Sequence, residues 1–301
     1  MDDADADAGD RDPRAAAAAA DDALARSGWQ AEVRGARELA RAAGALVVAI
    51  RDRGAAALAV EQKAGDEPVT VADRAASELV VRGLRERFPD DVVVSEEVAD
   101  DPEARLRARR VWYVDPIDGT KDFIRGEDGF SVMIGLCVAA APTVGVVYQP
   151  SRDRLYWAAG GAGAWREDRD DGPRRLAVST VRDPAAIRMV SSRSHRGPAH
   201  DEVKAALGIA DELALGSVGL KLGLIAAGER DLYVNPWPRC KVWDTCAPEA
   251  ILIAAGGMLT DTRGGALRYD ELDVGRRRGL VASNGLVHAA VLARLGELFG
   301  G

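Results

Sequence analysis

The chain has 301 residues, with 40 Lys and Arg against 48 Asp and Glu, so its formal net charge is −8. Such an acidic chain is a poor candidate for nucleic-acid binding, which relies on Lys and Arg to neutralise phosphates. Apolar residues make up 47% of the sequence, enough to form a core without disulfides or a structural metal. The length suits one large domain or two of ordinary size.

Cysteine and histidine are scarce, with three of each in the whole chain. An odd, sparse set of cysteines does not form a disulfide framework and fits a reducing cytoplasm. No CxxC or HExxH motif is present, so oxygen atoms would supply most ligands of any bound metal. The N-terminus is acidic where a signal peptide is basic, and apolar runs such as 44–50 are too short to cross a bilayer. We therefore expect a soluble cytoplasmic protein without membrane contact.

The first 26 residues differ in composition from the rest of the chain. They consist almost entirely of Asp, Ala and Arg, and they lack large apolar side chains except Leu24. We predict that residues 1–26 form a disordered or loosely helical acidic tail outside the catalytic body. Beyond it, apolar residues recur at helical spacing over 29–53 and 71–88, which predicts two amphipathic helices.

The remaining sequence changes rhythm near residues 177–188. Before that point, closely spaced strands predict an antiparallel meander that ends in a surface loop over 166–175. After it, strands alternate with helices, which is typical of a layered α/β structure. We thus predict an N-terminal α+β half over 27–178 and a C-terminal α/β half over 179–301. The predicted strands are 92–94, 111–114, 130–139, 143–149, 154–158, 189–190, 232–234, 258–260 and 280–282, and the helices of the second half are 200–207, 219–228, 245–255 and 286–299.

The segment DPIDGT, residues 115–120, places two carboxylates at the end of an apolar strand. Gly119 allows a tight turn, and Thr120 adds a hydroxyl at the start of a helix, where free N–H groups attract anions. Asp115 and Asp118 would repel each other beside such a turn unless cations neutralise them. Mg²⁺ is the hard cation that suits oxygen ligands and phosphate. Taken alone, the motif favours a simple Asp-capped turn, since Asp and Gly are ordinary turn residues.

Three other segments favour a site over a turn. SEE, residues 95–97, places Glu96 just after a second apolar strand. Asp244 begins a predicted helix in WDTCAPEA, where the alternative role is a plain N-cap. PVTVAD, residues 68–73, opens another predicted helix and ends in Asp73.

The ordered set PVTVAD, SEE, DPIDGTKDF and WDTCAPEA resembles the inositol monophosphatase superfamily of Mg²⁺-dependent, lithium-sensitive phosphatases, over about residue 35 to the end. The resemblance implies the layered αβαβα sandwich of the inositol monophosphatase and fructose bisphosphatase type. DGTKDF and the SRSH segment at 192–195 are more similar to the 3'(2'),5'-bisphosphate nucleotidase branch. GSVGLK, residues 216–221, departs from the GSSLK of many nucleotidases by one extra residue.

The same resemblance implies a site that holds two or three Mg²⁺. Glu96, Asp115 and the backbone carbonyl of Ile117 would bind the first ion. Asp115, Asp118 and Asp244 would bind the second.

The resemblance also implies how the scissile phosphate and the attacking water are held. The N–H groups of Gly119 and Thr120 would bind the phosphate, and Lys121 would be a further substrate contact. Asp73 and Thr120 would orient the water, with Glu96 as a further catalytic acid. Two metal ions can stabilise both the attacking and the leaving oxygen.

The rest of the substrate would be held by residues of the second half. Arg193 suits a second phosphate because its guanidinium matches phosphate geometry. His195 fits equally a nucleotide contact and a surface-loop histidine. For Arg239 and Lys241 the pattern favours a solvated loop over a charged pocket rim. The substrate contacts implied are Ser192, Arg193, His195, Gly216, Ser217 and Lys221.

We therefore expect a Mg²⁺-dependent phosphomonoesterase that converts 3'-phosphoadenosine 5'-phosphate to AMP and phosphate in sulfur assimilation. The alternatives are an inositol or sugar (bis)phosphatase of the same mechanism and a non-catalytic phosphate-binding regulator. The expected partner is a small phosphorylated molecule and not a nucleic acid, and the expected state is a monomer or homodimer.

Overall fold

A computed structural model of the chain describes residues 13–63, 67–169, 171–194 and 197–299. The helices are α1 (Pro13–Ser27), α2 (Gln30–Arg51), α3 (Val71–Arg87), α4 (Pro102–Arg107), α5 (Thr120–Ile124), α6 (Pro198–Ala206), α7 (Val218–Ala226), α8 (Val242–Ala254) and α9 (His288–Phe299). The strands are β1 (Glu61–Gln62), β2 (Pro68–Val69), β3 (Val92–Ser95), β4 (Arg110–Asp118), β5 (Ser131–Val138), β6 (Ala141–Gln149), β7 (Arg154–Ala159), β8 (Gly163–Asp168), β9 (Asp171–Arg175), β10 (Arg188–Ser192), β11 (Asp211–Leu215), β12 (Leu232–Asn235), β13 (Met258–Thr260) and β14 (Leu280–Ser283).

The first large sheet has seven strands in the sequential order β3 to β9. β3 is parallel to β4, and every later neighbour is antiparallel, which confirms the predicted meander. The prediction of a surface loop over 166–175 is wrong, because this stretch contains the end of β8 and all of β9. Its charges are compatible with strands because they are paired: Asp168 binds both Arg154 and Arg166.

The second large sheet has five strands in the order β11-β10-β12-β14-β13. β10 is parallel to both β11 and β12, whereas β14 is antiparallel to its two neighbours. β11, at Asp211–Leu215, was not predicted, because its sequence, DELAL, is only five residues long and begins with two acidic residues. The first sheet ends at Arg175 and the second begins at Arg188. The division into halves at residue 178 stays a prediction, since α8 of the second half packs on the first sheet.

Helices and sheets stack in five layers. Alternate residues of each strand face opposite layers: Val132 and Ile134 face α2 and α3, whereas Met133 faces α7 and α8. In the second sheet, Val190 faces α7 and α8, and Met189 packs with α6 and α9. The order is therefore α2/α3, seven-stranded sheet, α7/α8, five-stranded sheet, α6/α9. This arrangement confirms the predicted αβαβα sandwich.

The N-terminal segment, predicted to be disordered or loosely helical, is helical where the structure describes it. Residues 13–27 form the regular helix α1, which packs against the edge strand β9. Alanine is the strongest helix former, so six consecutive alanines favour this helix although they offer little apolar surface. Ala20 and Leu24 supply the burial, at 4% and 1% exposure. Residues 1–12, the rest of the predicted tail, lie outside the described residues.

Because Leu24 anchors α1 through a single large apolar side chain, we expect Leu24→Ala to destabilise the protein by about 2 kcal/mol or more. The free energy of urea unfolding would measure this. Leu272→Ala is the matched control, since Leu272 is 71% exposed and the change should cost less than about 0.5 kcal/mol. Equal stability of the two variants would show that α1 is not packed as described.

No helix within the described ranges is both long enough and apolar enough to cross a membrane.

Candidate active site

The two aspartates of the DPIDGT segment are brought to one side of β4 by a β-bulge. Residues three apart in a regular strand point to opposite faces. Here Asp115 pairs with Met133 and Asp118 pairs with Ser131, so β4 has one residue more than β5 over this stretch. The extra residue restores the shared face, as bulges do when they redirect a side chain. Both carboxylates therefore point to the α7/α8 side of the sheet.

A sharp turn follows the bulge at Gly119. Its φ is +96°, and a Cβ there would lie 2.7 Å from the carbonyl oxygen of Gly129, so only glycine fits. The turn leads directly into α5, whose first residue is Thr120. The Thr120 hydroxyl lies 3.0 Å from the carbonyl oxygen of Ile117 and 3.3 Å from Oδ1 of Asp73. The turn thus places a hydroxyl between a carbonyl and a carboxylate.

Asp73 occupies the third position of α3 and is 3% exposed. The Thr70 hydroxyl accepts from the backbone N–H groups of Ala72 and Asp73, and Oδ2 of Asp73 accepts from the Thr70 backbone N–H at 2.7 Å. This capping box fixes the carboxylate and leaves Oδ1 toward Thr120. Burial raises the pKa of Asp73 to about 6, so the group can accept a proton near neutral pH.

Glu96 follows β3, which lies beside β4 in the sheet. Its carboxylate forms an ion pair with Lys63 at 3.1 Å, and Lys63 also contacts Glu97. Burial raises the pKa of Glu96 to about 7, with the Glu97 charge adding to the effect and Lys63 opposing it.

Asp244 lies in the first turn of α8, where its Oδ2 accepts from the backbone N–H of Lys241 at 2.7 Å. The helix reaches the first sheet because two glycines face it. A Cβ on Gly135 would lie 2.6 Å from the backbone nitrogen of Ala247, and one on Gly145 would overlap the carbonyl oxygen of Ala247. These glycines let α8 approach the sheet until Asp244 faces the carboxylates of β4.

Burial and neighbouring carboxylates raise the pKa values of the aspartates in this cleft. Burial, followed by the charges of Glu96, Asp118 and Asp244, raises the pKa of Asp115 well above its usual value. Burial and the charges of Asp118 and Glu96 do the same to Asp244. Burial also raises the pKa of Asp118, although Lys221 and the Ser217 hydroxyl oppose the shift. The cleft holds more negative charge than its own cations compensate, which is the setting in which a bound cation is stabilising.

The donor chemistry fits a hard cation, because the cleft combines the carboxylates of Glu96, Asp115, Asp118 and Asp244 with the Ile117 carbonyl. Across the described parts of the chain, however, no three Asp, Glu, His or Cys side chains converge closely enough to hold a metal ion as they stand. Several of these oxygens already have partners within the protein. Glu96 forms an ion pair with Lys63, and Oδ2 of Asp118 accepts a hydrogen bond from the Gly219 backbone N–H at 2.8 Å. Metal binding would exchange such contacts for metal–oxygen contacts.

The structure sorts the predicted substrate contacts into two groups. The residues that line the cleft with the acids are Gly119, Thr120, Lys121, Ser192, Gly216 and Lys221. Ser217 is fully buried behind Asp118 and donates a 2.5 Å hydrogen bond to it, so it positions that carboxylate and does not face a substrate. His195 lies outside the described residues.

Arg193 does not line this cleft, contrary to its predicted place beside the second phosphate. Its guanidinium binds Asp122 Oδ2 at 2.9 Å, contacts Glu127 and donates to the Ala214 carbonyl at 3.3 Å. Sequence reasoning could not foresee these partners, since Asp122 is 71 positions away along the chain. Lys63 is the opposite case, a cleft residue that the sequence did not single out. Its basic charge next to the acidic stretch before PVTVAD was the available signal.

The sequence model of the inositol monophosphatase family matches residues 29–298. The chain belongs to the inositol monophosphatase family. It is 40% identical over 232 residues to the 3'(2'),5'-bisphosphate nucleotidase CysQ of Salmonella typhimurium, covering 77% of this chain and 91% of that protein. It is 36% identical over 248 residues to a histidinol-phosphatase of Mycobacterium tuberculosis, covering 80% of this chain and 90% of the relative.

Solved structures agree with the family assignment. The crystal structure of CysQ from Bacteroides thetaiotaomicron, described as a bacterial member of this family, matches with a TM-score of 0.72 and 30% identity. The match covers 85% of this chain and 98% of that one. Helix α1 ends at Ser27 and so precedes the part of the chain that the family model matches. The resemblance based on four motifs is thereby confirmed.

Proposed function

We propose that this member of the inositol monophosphatase family is a 3'(2'),5'-bisphosphate nucleotidase. It hydrolyses 3'-phosphoadenosine 5'-phosphate to AMP and phosphate. The observation that carries the proposal is the convergence of Glu96, Asp115, Asp118 and Asp244 on one cleft beside the Gly119 turn. Its 40% identity to a CysQ nucleotidase supports the choice of substrate.

Two or three Mg²⁺ ions would be held by the four carboxylates and the Ile117 carbonyl. When bound, they supply charge neutralisation at the phosphate and a more acidic water. The chain itself would place the scissile phosphate at the turn formed by Gly119 and Thr120, with Lys121 beside it. Cleavage of a phosphate monoester needs a very large rate enhancement, and holding these groups at fixed positions contributes to it.

The chain's own residues offer a route for the proton of the attacking water. The Thr120 hydroxyl lies 3.3 Å from Oδ1 of Asp73. Thr120 would accept the water's proton as its own proton passes to Asp73, whose pKa of about 6 suits a base near neutral pH. The Thr70 cap keeps Asp73 in place during the transfer. This route requires no covalent phosphoenzyme.

The Mg²⁺ requirement should depend on pH, because protons and cations compete for the same oxygens. The raised pKa of Glu96, about 7, means that this carboxyl binds a proton as the pH falls through neutrality. For one group with a pKa of about 7, we expect the half-saturating Mg²⁺ concentration to rise about tenfold in total between pH 8 and pH 6, with most of the rise below pH 7. Initial rates at several Mg²⁺ concentrations measure this. A half-saturating concentration that does not change with pH would contradict the assignment.

A substrate panel tests the proposed function. We expect the highest kcat/KM with 3'-phosphoadenosine 5'-phosphate and lower values with inositol 1-phosphate, fructose 1,6-bisphosphate and histidinol phosphate. The last substrate is included because of the histidinol-phosphatase relative. Comparable or higher kcat/KM on inositol 1-phosphate or histidinol phosphate would overturn the nucleotidase assignment. No turnover of any substrate would favour a phosphate-binding protein.

A further inference from the structure

The cleft contains several cations, and two of them already have partners. Five basic residues line it: Lys63, Lys121, Lys221, Arg239 and Lys241. Lys63 is paired with Glu96. Lys221 is 1% exposed, donates to the Gly216 carbonyl at 2.6 Å and lies 5.1 Å from the centre of the Tyr233 ring. Neither lysine is free to bind a phosphate at the outer part of the cleft.

Arg239 differs from these lysines. It is exposed, and its side chain has no ion pair or hydrogen bond with any residue that the structure describes. Lys241, two residues later, also lacks an ion pair in the described chain. An unpaired guanidinium beside an acidic cleft, yet not bound to the acids, is available to an anion.

The backbone that carries Arg239 is anchored at both ends. The Trp237 N–H donates to the Asn235 side chain at 3.1 Å, and the carbonyl of Cys240 accepts from the Arg276 N–H at 2.7 Å. Pro236 and Pro238 restrict φ on either side of Trp237, so little entropy is lost when this segment holds a ligand. The segment then joins α8, and the Lys241 N–H binds Asp244. The position of Arg239 relative to the carboxylates is therefore fixed by the fold.

We propose that Arg239, supported by Lys241, binds the second, non-scissile phosphate and so sets the preference for bisphosphates over monophosphates. This inference rests on the proposed function. The scissile phosphate lies at the carboxylates, and a second phosphate on the same nucleotide would extend toward the cleft rim, where Arg239 lies. Arg193, which the sequence favoured for this role, is bound to Asp122 and does not face the cleft.

The test compares two substrates of the same purified protein with Mg²⁺: adenosine 3',5'-bisphosphate and adenosine 3'-monophosphate. We expect Arg239→Gln to lower kcat/KM for the bisphosphate by about 10- to 100-fold, the range for one lost charge-assisted contact. The loss should appear mainly in KM, and kcat/KM for the monophosphate should stay within about threefold of wild type. Arg239→Lys should restore part of the loss, because it keeps the charge but not the planar fork.

Arg263→Gln is the matched control, since Arg263 is exposed and lies outside the cleft, and its removal changes the net charge equally. It should leave both substrates unaffected. If wild type prefers the bisphosphate and Arg239→Gln keeps that preference, the inference is wrong while the proposed function stands. If wild type shows no preference for the bisphosphate, the nucleotidase function itself fails, and the role of Arg239 fails with it.

Discussion

Replacing Asp115 with asparagine should abolish most of the activity and yet stabilise the protein without Mg²⁺. Asp115 is 2% exposed and lies among Glu96, Asp118 and Asp244, whose charges add to burial in raising its pKa. A carboxyl with a raised pKa contributes most to stability below its unfolded pKa and loses that contribution as the pH rises. Asparagine removes this cost near neutral pH. It also removes a metal ligand, so we expect kcat to fall by about 10²- to 10³-fold or more.

The measurements are kcat with saturating Mg²⁺ and Tm with and without the ion. Wild type should gain more in Tm from Mg²⁺ than Asp115→Asn does, because binding to the folded state alone stabilises it. Turnover equal to wild type would refute the assignment of Asp115 as a ligand. The same expectation applies to Asp118→Asn.

Asp231→Asn serves as the matched control for a buried aspartate outside the cleft. Asp231 is fully buried, and Arg188 and Ser179 lower its pKa. Its contribution to stability is present above its unfolded pKa and is lost only in acid. Because Arg188 is partly exposed, weakening its pair with the buried Asp231 should destabilise the protein by about 1–3 kcal/mol. The kcat of the folded fraction should stay near wild type, which is the reverse of the result expected for Asp115→Asn.

Replacing Gly135 with alanine should cause a large loss of stability for the addition of a single methyl group. The new Cβ would lie 2.6 Å from the backbone nitrogen of Ala247 and 2.7 Å from the Sγ of Cys246. Because a backbone atom cannot rotate away, α8 must move from the sheet. We expect a loss of about 3 kcal/mol in the free energy of unfolding. Asp244 lies three residues before Ala247, so kcat should fall as well.

Gly296→Ala provides the matched control for this substitution. Gly296 lies within α9, and a Cβ there would meet no atom within 4 Å. Alanine favours a helix over glycine by about 1 kcal/mol, so this variant should be as stable as wild type or more so. Urea unfolding of both variants gives the comparison. A stable, fully active Gly135→Ala protein would show that α8 does not contact β5 as closely as described.

Much of the fold followed from apolar periodicity. The helical spacing over 29–53 and 71–88 predicted α2 and α3, and the short apolar runs from 92 to 158 predicted β3 to β7. The prediction failed where local composition and tertiary contacts disagree. The charged stretch 166–175 is part of a hairpin because its charges find partners, such as Asp168 of β8 with Arg154 of β7. Helix α1 is ordered by the burial of Leu24, a contact that composition does not reveal.

The candidate site likewise combines features that the sequence predicted with features that only the tertiary structure shows. The residue types and order of Asp73, Glu96, Asp115, Asp118 and Asp244 were sufficient to predict a cluster of carboxylates, whereas the binding of Mg²⁺ by this cluster stays a prediction. Their chemistry is local, because a carboxylate after a strand or at a helix start is placed by its own segment.

The sequence by itself therefore determined the layered fold, the family and the acidic residues of the site. Only the tertiary structure decided which cations remain free to meet a substrate, because ion pairs join residues that are far apart in the chain. Arg193 is bound by Asp122, and Arg239 has no such partner among the described residues. The structure also decided that Asp115 and Asp118 share one face, since the extra residue of β4 is visible only in its register with β5.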